Sequence, residues 1–155
     1  MSKILFLILI CPFLTFSPSA DILSKDNLIE IYSQAIGDFI KTANKKNNTS
    51  FDTLFIGKRV NGKSDDFPDI DLPKVIENTQ IRIISPEAGQ KSQNEKKSRI
   101  YINLIGWINK ENAEFIFVVF SNGFMHQYDL NLNYKFKRNR YELEKIQFKG
   151  PPFSL

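Results

Sequence analysis

Cysteine and histidine are almost missing from this chain, whose 155 residues hold one of each, Cys11 and His126. One cysteine cannot close a disulfide within the chain or make a thiolate-ligated zinc site. One histidine cannot supply a site that needs two imidazoles, and it leaves a Ser-His-Asp triad without support unless its geometry is favourable. Neither a phosphate loop nor a nucleophile elbow is written in the sequence, so no cofactor is expected. Charge is also thin: 21 basic and 17 acidic residues give a formal +4, too mild to imply nucleic acid as a partner. No apolar run reaches the roughly 20 residues of a membrane span.

The first twenty residues, MSKILFLILICPFLTFSPSA, carry a single charge, Lys3, ahead of an apolar run from Ile4 to Phe16 and small residues at Ser17, Ser19 and Ala20. A short basic end, an apolar core of this length and a small-residue exit are the three parts of a secretory signal peptide. Residues 1–20 are therefore expected to be removed, with cleavage after Ser19 or Ala20. A lipid anchor through Cys11 is not expected, because Ile10 precedes it where lipidation wants a small residue, and because Cys11 lies inside the apolar run. Taking Lys3 away leaves a mature charge of +3 and no cysteine. An exported chain without disulfides fits a bacterial periplasm or secretion better than an animal extracellular space.

Beyond the leader, residues 21–149 read as one α+β domain and 150–155 as a short tail. From Ser24 to about Lys46 the apolar positions Leu28, Ile31, Tyr32, Ala35, Phe39 and Ala43 recur at helical spacing. Ser24 suits the N-cap, Asp26 the positive end of the helix dipole, and Lys45 and Lys46 the negative end. Phe51 to Ile56 reads as a strand, and residues 72–78 as a short helix with Asp71 at its cap and Pro73 in its first turn. Gln80 to Ile84 reads as another strand, and the polar stretch 85–98 as a surface loop.

The last third is β-rich. Ile100 to Ile108 alternates loosely, Asn109 to Asn112 turn, and Ala113 to Phe120 is apolar enough for a central strand. Asn122-Gly123 is a strong hairpin signal. From Phe124 to Phe136 the alternation is clean, and residues 137–140 turn the chain again. The apolar pattern then changes phase between Leu143 and Ile146, which places a bulge near Glu144-Lys145. The expected architecture is a long N-terminal helix packed on a four- to five-stranded antiparallel meander sheet. This order of elements resembles the cystatin and nuclear-transport-factor-2-like plan, in which a curved sheet wraps a helix. The chain also resembles small exported bacterial proteins of unknown function. That superfamily contains binders and enzymes, so the resemblance implies a fold and no activity.

Three groups of residues could carry chemistry. Asp65, Asp66, Asp69 and Asp71 crowd one short loop and could offer oxygens to calcium, although Phe67 and Pro68 break the spacing of a calcium loop. The bland reading is an acidic loop facing water. His126 could act as acid or base with Asp129 orienting it, but positions three apart on an unbroken strand face opposite sides, so a half-buried structural histidine is the simpler reading. Lys135, Lys137, Arg138 and Arg140, with Lys145 and Lys149 near and Tyr134 and Tyr141 flanking, could grip a polyanion. They equally suit a solvated turn that keeps a sheet edge soluble.

The function expected from these features is non-enzymatic binding by an exported protein, with a protein, a small apolar ligand or an envelope component as partner. The alternatives are a small-ligand cavity enzyme using His126 or the loop aspartates, and a calcium-dependent envelope module. Nothing in the residues names the ligand or the oligomeric state.

Overall fold

A computed structural model describes residues 23–47, 50–57, 67–84, 101–121 and 125–150, except for the side chains of Asn47, Ser121 and residues 125–127. The expected signal peptide, the loop at 85–98, the Asn122-Gly123 turn and residues 151–155 lie outside them.

Helix α1 spans Lys25–Asn47. Ser24 caps it: the Asn27 amide donates to Ser24 Oγ at 3.2 Å, and the Leu28 amide to the Ser24 carbonyl at 3.0 Å. These bonds satisfy orphan donors of the first turn. Its buried stripe is Ile31, Tyr32, Ala35, Ile36, Phe39, Ile40 and Ala43. Each large side chain so buried stabilises the helix by about 1.5–3 kcal/mol, far more than propensity gives.

Seven strands follow, β1 (Thr53–Gly57), β2 (Val75–Ile76), β3 (Thr79–Ile84), β4 (Tyr101–Ile108), β5 (Asn112–Ser121), β6 (Met125–Lys137) and β7 (Arg140–Lys149). They form one sheet in the order β2-β3-β1-β4-β5-β6-β7. The expectation of a four- to five-stranded antiparallel meander is wrong. The sheet has seven strands and is mixed, because β1 inserts between β3 and β4 and runs parallel to both, while the other pairs are antiparallel. A strand's residues show that it is a strand; they do not show which neighbour it will choose. The connections after β1 and β3 are long enough for the returns that parallel pairing requires.

The short helix expected at 72–78 is also wrong. Val75 and Ile76 pair with Gln80 and Thr79 around Glu77 and Asn78, whose φ values are 49° and 62°. Two consecutive positive φ values are those of a type I′ hairpin turn. Asp71 therefore caps no helix. Thr79, buried at the start of β3, donates its hydroxyl to the Phe51 carbonyl at 2.9 Å, and the Gln80 amide donates to the Asp52 carbonyl at 3.0 Å. Those two bonds pin β3 beside β1.

The core lies between α1 and one face of the sheet. Leu54, Ile56, Ile102, Leu104, Phe115, Phe117, Leu130 and Leu132 fill it from the strands. Phe39 stacks on Phe117 with ring centroids 4.6 Å apart and on Phe51 at 6.2 Å. Tyr32 meets Phe115 edge-on at 5.0 Å and Phe67 at 5.2 Å. The opposite face carries half-buried Phe55, Ile105, Ile116 and Val118, and Trp107, 45% exposed.

Candidate functional site

The sequence singles out three places, and the structure treats each differently. In the acidic loop, Phe67 and Ile70 are buried in the core, and the Ile70 amide donates to the Pro68 carbonyl at 2.9 Å. This tight anchorage turns Asp69 and Asp71 outward. Asp71 is almost wholly exposed and lies 3.7 Å from Lys25 Nζ, a pair too solvated to add much stability. Asp65 and Asp66 lie outside the described residues. Among the described residues, no three carboxylate, imidazole or thiol groups converge.

His126 sits where β6 is irregular. Val119 pairs with Tyr128 but Phe120 pairs with His126, so Gln127 is an extra residue on β6. The unbroken alternation that would set His126 and Asp129 on opposite faces does not hold across this bulge. The His126 side chain itself lies outside the described residues.

The basic hairpin is partly neutralised from within. Lys137 Nζ lies 2.7 Å from Glu144 Oε1, and Arg140 3.3 Å from Glu142 Oε1. The hydrogen bond from Lys137 holds the Glu144 carboxyl below its ordinary value, and the bond to Glu144 pushes the Lys137 ammonium up. Two of the four cations thus face carboxylates on β7. Arg138 is in the turn itself, with φ 51°. The hairpin closes by another pair of positive φ values, since Asn139 has φ 63°.

A fourth place emerges only from the packing. A cleft of about 260 Å³ opens where the first turns of α1 meet the β6–β7 hairpin and the β4–β5 turn. Its apolar walls are Leu23, Ile31, Phe136 and Tyr141, and its rim carries Asn27, Glu30, Gln34, Lys110 and Asn139. Asn27, Ile31 and Gln34 fall three or four residues apart on α1, so one stripe of the helix presents them together, and Leu23 lies just ahead of the Ser24 cap.

Tyr141 organises the cleft. Its hydroxyl donates to the Asn109 carbonyl at 2.6 Å, and its own carbonyl accepts from Gln34 Nε2 at 3.1 Å. Burial pushes its phenol up. Asn109 in turn shapes the β4–β5 turn, its Oδ1 accepting from the amides of Glu111 at 2.9 Å and Asn112 at 2.8 Å. The Phe136 amide donates to the Glu111 carbonyl at 2.6 Å. Helix, turn and hairpin are therefore clamped to one another around the opening. Phe136 meets Tyr141 at 5.1 Å and 63°, yet remains 43% exposed.

Among the described residues, this lining offers an apolar floor and hydrogen-bonding groups but no imidazole, thiol or aliphatic hydroxyl. Of the acidic loop's described aspartates, neither Asp69 nor Asp71 belongs to it. Sequence reasoning missed it because its walls come from segments far apart in the chain. Only Tyr141, beside the basic turn, and Ile31, on the helix face, were singled out at all. The spacing Phe136-turn-Tyr141 was a usable signal, since two aromatics bracketing a two-residue turn must meet. No family model, curated protein or solved structure matches the chain.

Proposed function

We propose that this is an exported binding protein without enzymatic activity, and that it recognises its partner through the cleft between α1 and the β6–β7 hairpin. The observation that carries the reading is Phe136, a large ring held nearly half exposed in a concave, clamped and mostly apolar setting. Exposed rings in lined concavities are where proteins concentrate binding energy. The interior between helix and sheet is filled by Phe39, Phe115 and Phe117, each with no exposed surface. A ligand chamber between helix and sheet, such as a cavity enzyme would use, would have to displace them. The cleft instead lies at the end of that core, lined by groups that hold a ligand rather than transform it.

Export rests on the leader residues Lys3, Ile4 to Phe16 and Ala20. Cleavage after Ser19 or Ala20 would leave Leu23 in place as a wall of the cleft. N-terminal sequencing of the protein recovered outside the cytoplasm should begin at Ala20 or Asp21; an intact Met1 there would overturn export. Binding is tested by titrating the purified protein with indole and p-cresol, two uncharged ring probes, while following its NMR signals. Shifts should gather at Phe136, Tyr141 and Ile31 and vanish in Phe136→Ala. Absence of shifts, or shifts scattered over the sheet, would overturn the cleft as the binding surface.

A further inference from the structure

Resting on that binding reading, we infer that the cleft takes one aromatic ring carried on a small polar head with no net charge, the chemistry of an aromatic amino acid, free or within a peptide. Size sets the first limit. A cavity of about 150 Å³ suffices for benzene, and a water occupies about 30 Å³. The cleft's 260 Å³ therefore suits one aromatic group, up to the size of an indole, with a head of a few heavy atoms, and not a lipid chain.

Ring chemistry follows from the floor. Phe136 and Tyr141 already meet edge to face at 63°, and Phe136 is the exposed partner of the two. A third ring continues that packing, and the electrostatics of aromatic edges and faces favour it over a saturated ring of the same shape. Leu23 and Ile31 complete the apolar contact.

Head-group charge follows from the rim. Glu30 and Lys110 supply one charge of each sign, and the remaining rim groups, Asn27, Gln34 and Asn139, are amides. Such a rim repels neither end of a zwitterion and favours neither a lone anion nor a lone cation. Amides both donate and accept, which suits a carboxylate beside an ammonium, or a peptide bond.

The same NMR titration tests this with five probes, the first four of matched size. Phenylalanine should bind with an affinity on the order of a millimolar, shifting Phe136, Tyr141 and Ile31. Cyclohexylalanine, equal in head and saturated in ring, should bind about two- to tenfold more weakly. Phenylpropionate and phenethylamine, each keeping one charge, should both be weaker than phenylalanine. In Lys110→Glu, a change on an exposed turn, phenethylamine should overtake phenylpropionate. N-acetyl-phenylalaninamide separates the two sources: binding as tight as phenylalanine assigns the site to a peptide residue, and weaker binding to the free amino acid. Equal binding of cyclohexylalanine, or preference for either singly charged analogue, would overturn the ligand class while indole and p-cresol still report a working cleft. If those two probes also fail, the binding reading falls with it.

Discussion

At the scale of single residues, two contacts between helix and sheet carry most of what can be tested. Gly106 on β4 lies under Tyr32: a Cβ there would come within 2.7 Å of the Tyr32 hydroxyl oxygen and 2.9 Å of a Phe115 ring carbon. Phe115 has no exposed surface and cannot swing aside. Gly106→Ala should therefore destabilise by about 1–3 kcal/mol, seen as a lower urea midpoint. A parent-like midpoint would mean that Tyr32 is not seated where the structure puts it. The second contact is the hydrogen bond from the Tyr134 hydroxyl to Asp38 Oδ2 at 2.8 Å. Burial, and then the Asp38 charge, push the Tyr134 phenol far above its ordinary value, and burial alone pushes Tyr32 up to about 12. The folded state thus keeps protons that the unfolded chain releases near pH 10. The stability linked to these groups is whole below pH 10 and drains as pH rises toward 12, at up to about 1.4 kcal/mol per pH unit for each phenol. Urea melts between pH 8 and 11.5 should show that decline. Tyr134→Phe should cost about 1.5–3 kcal/mol at neutral pH and decline less steeply above pH 10. An unchanged slope would show that Tyr134 ionises as it does in water.

At the scale of elements, the β2–β3 hairpin shows where local chemistry is overruled. Glu77 holds φ 49° in the turn while its carboxylate lies 3.0 Å from Lys41 on α1. A left-handed conformation costs a non-glycine residue about 1–2 kcal/mol, and an exposed ion pair returns about 0.2–1 kcal/mol. Strain is the larger effect, so Glu77→Gly should melt no lower than the parent. A drop of several degrees would mean that the pair to Lys41 holds the hairpin down. This turn was illegible in the sequence because Glu-Asn lacks the glycine that marks such hairpins, and Asp71 with Pro73 imitates a helix start. By contrast α1 was legible almost to the residue: cap, dipole charges and apolar stripe all pointed one way. The strand at Ala113–Phe120 and the phase change near Glu144 were legible for the same reason, since burial on one or both faces writes itself into alternation. What could not be read was partnership. Nothing in Phe51 to Ile56 says that β1 will separate β3 from β4, and nothing in Glu30, Lys110 or Asn139 says that they will share a rim. Those facts are set by which surfaces meet, at sequence separations where local rules are silent.

At the scale of the whole molecule, a seven-stranded open sheet must protect its two edges. One ends in the two-residue strand β2, which offers little ladder to an intruder. The other is β7, ten residues long and potentially a template for another chain. Tyr134 pairs with Leu143 and Asn133 with Lys145, so Glu144 is an extra residue on the edge strand. Were Glu144 paired as an ordinary rung of the ladder, Tyr141 and Leu143 could not share the helix-facing side with Ile146 and Phe148. The bulge reconciles the two apolar pairs and twists the edge, and Glu142, Glu144, Lys145 and Lys149 add charge to it. Deleting Glu144 keeps Ile146 and Phe148 on the helix side but restores an even ladder along the whole of β7. It also removes the partner of Lys137. Because Ile146 is already 43% exposed beside that edge, the flattened strand should recruit a second copy. Size-exclusion chromatography with light scattering should then find a larger species than the parent at equal concentration, with a parent-like circular dichroism spectrum. A deletion variant of unchanged mass would place the protection of this edge in its charges, and a double change of Glu142 and Lys145 to threonine would then be the variant that associates.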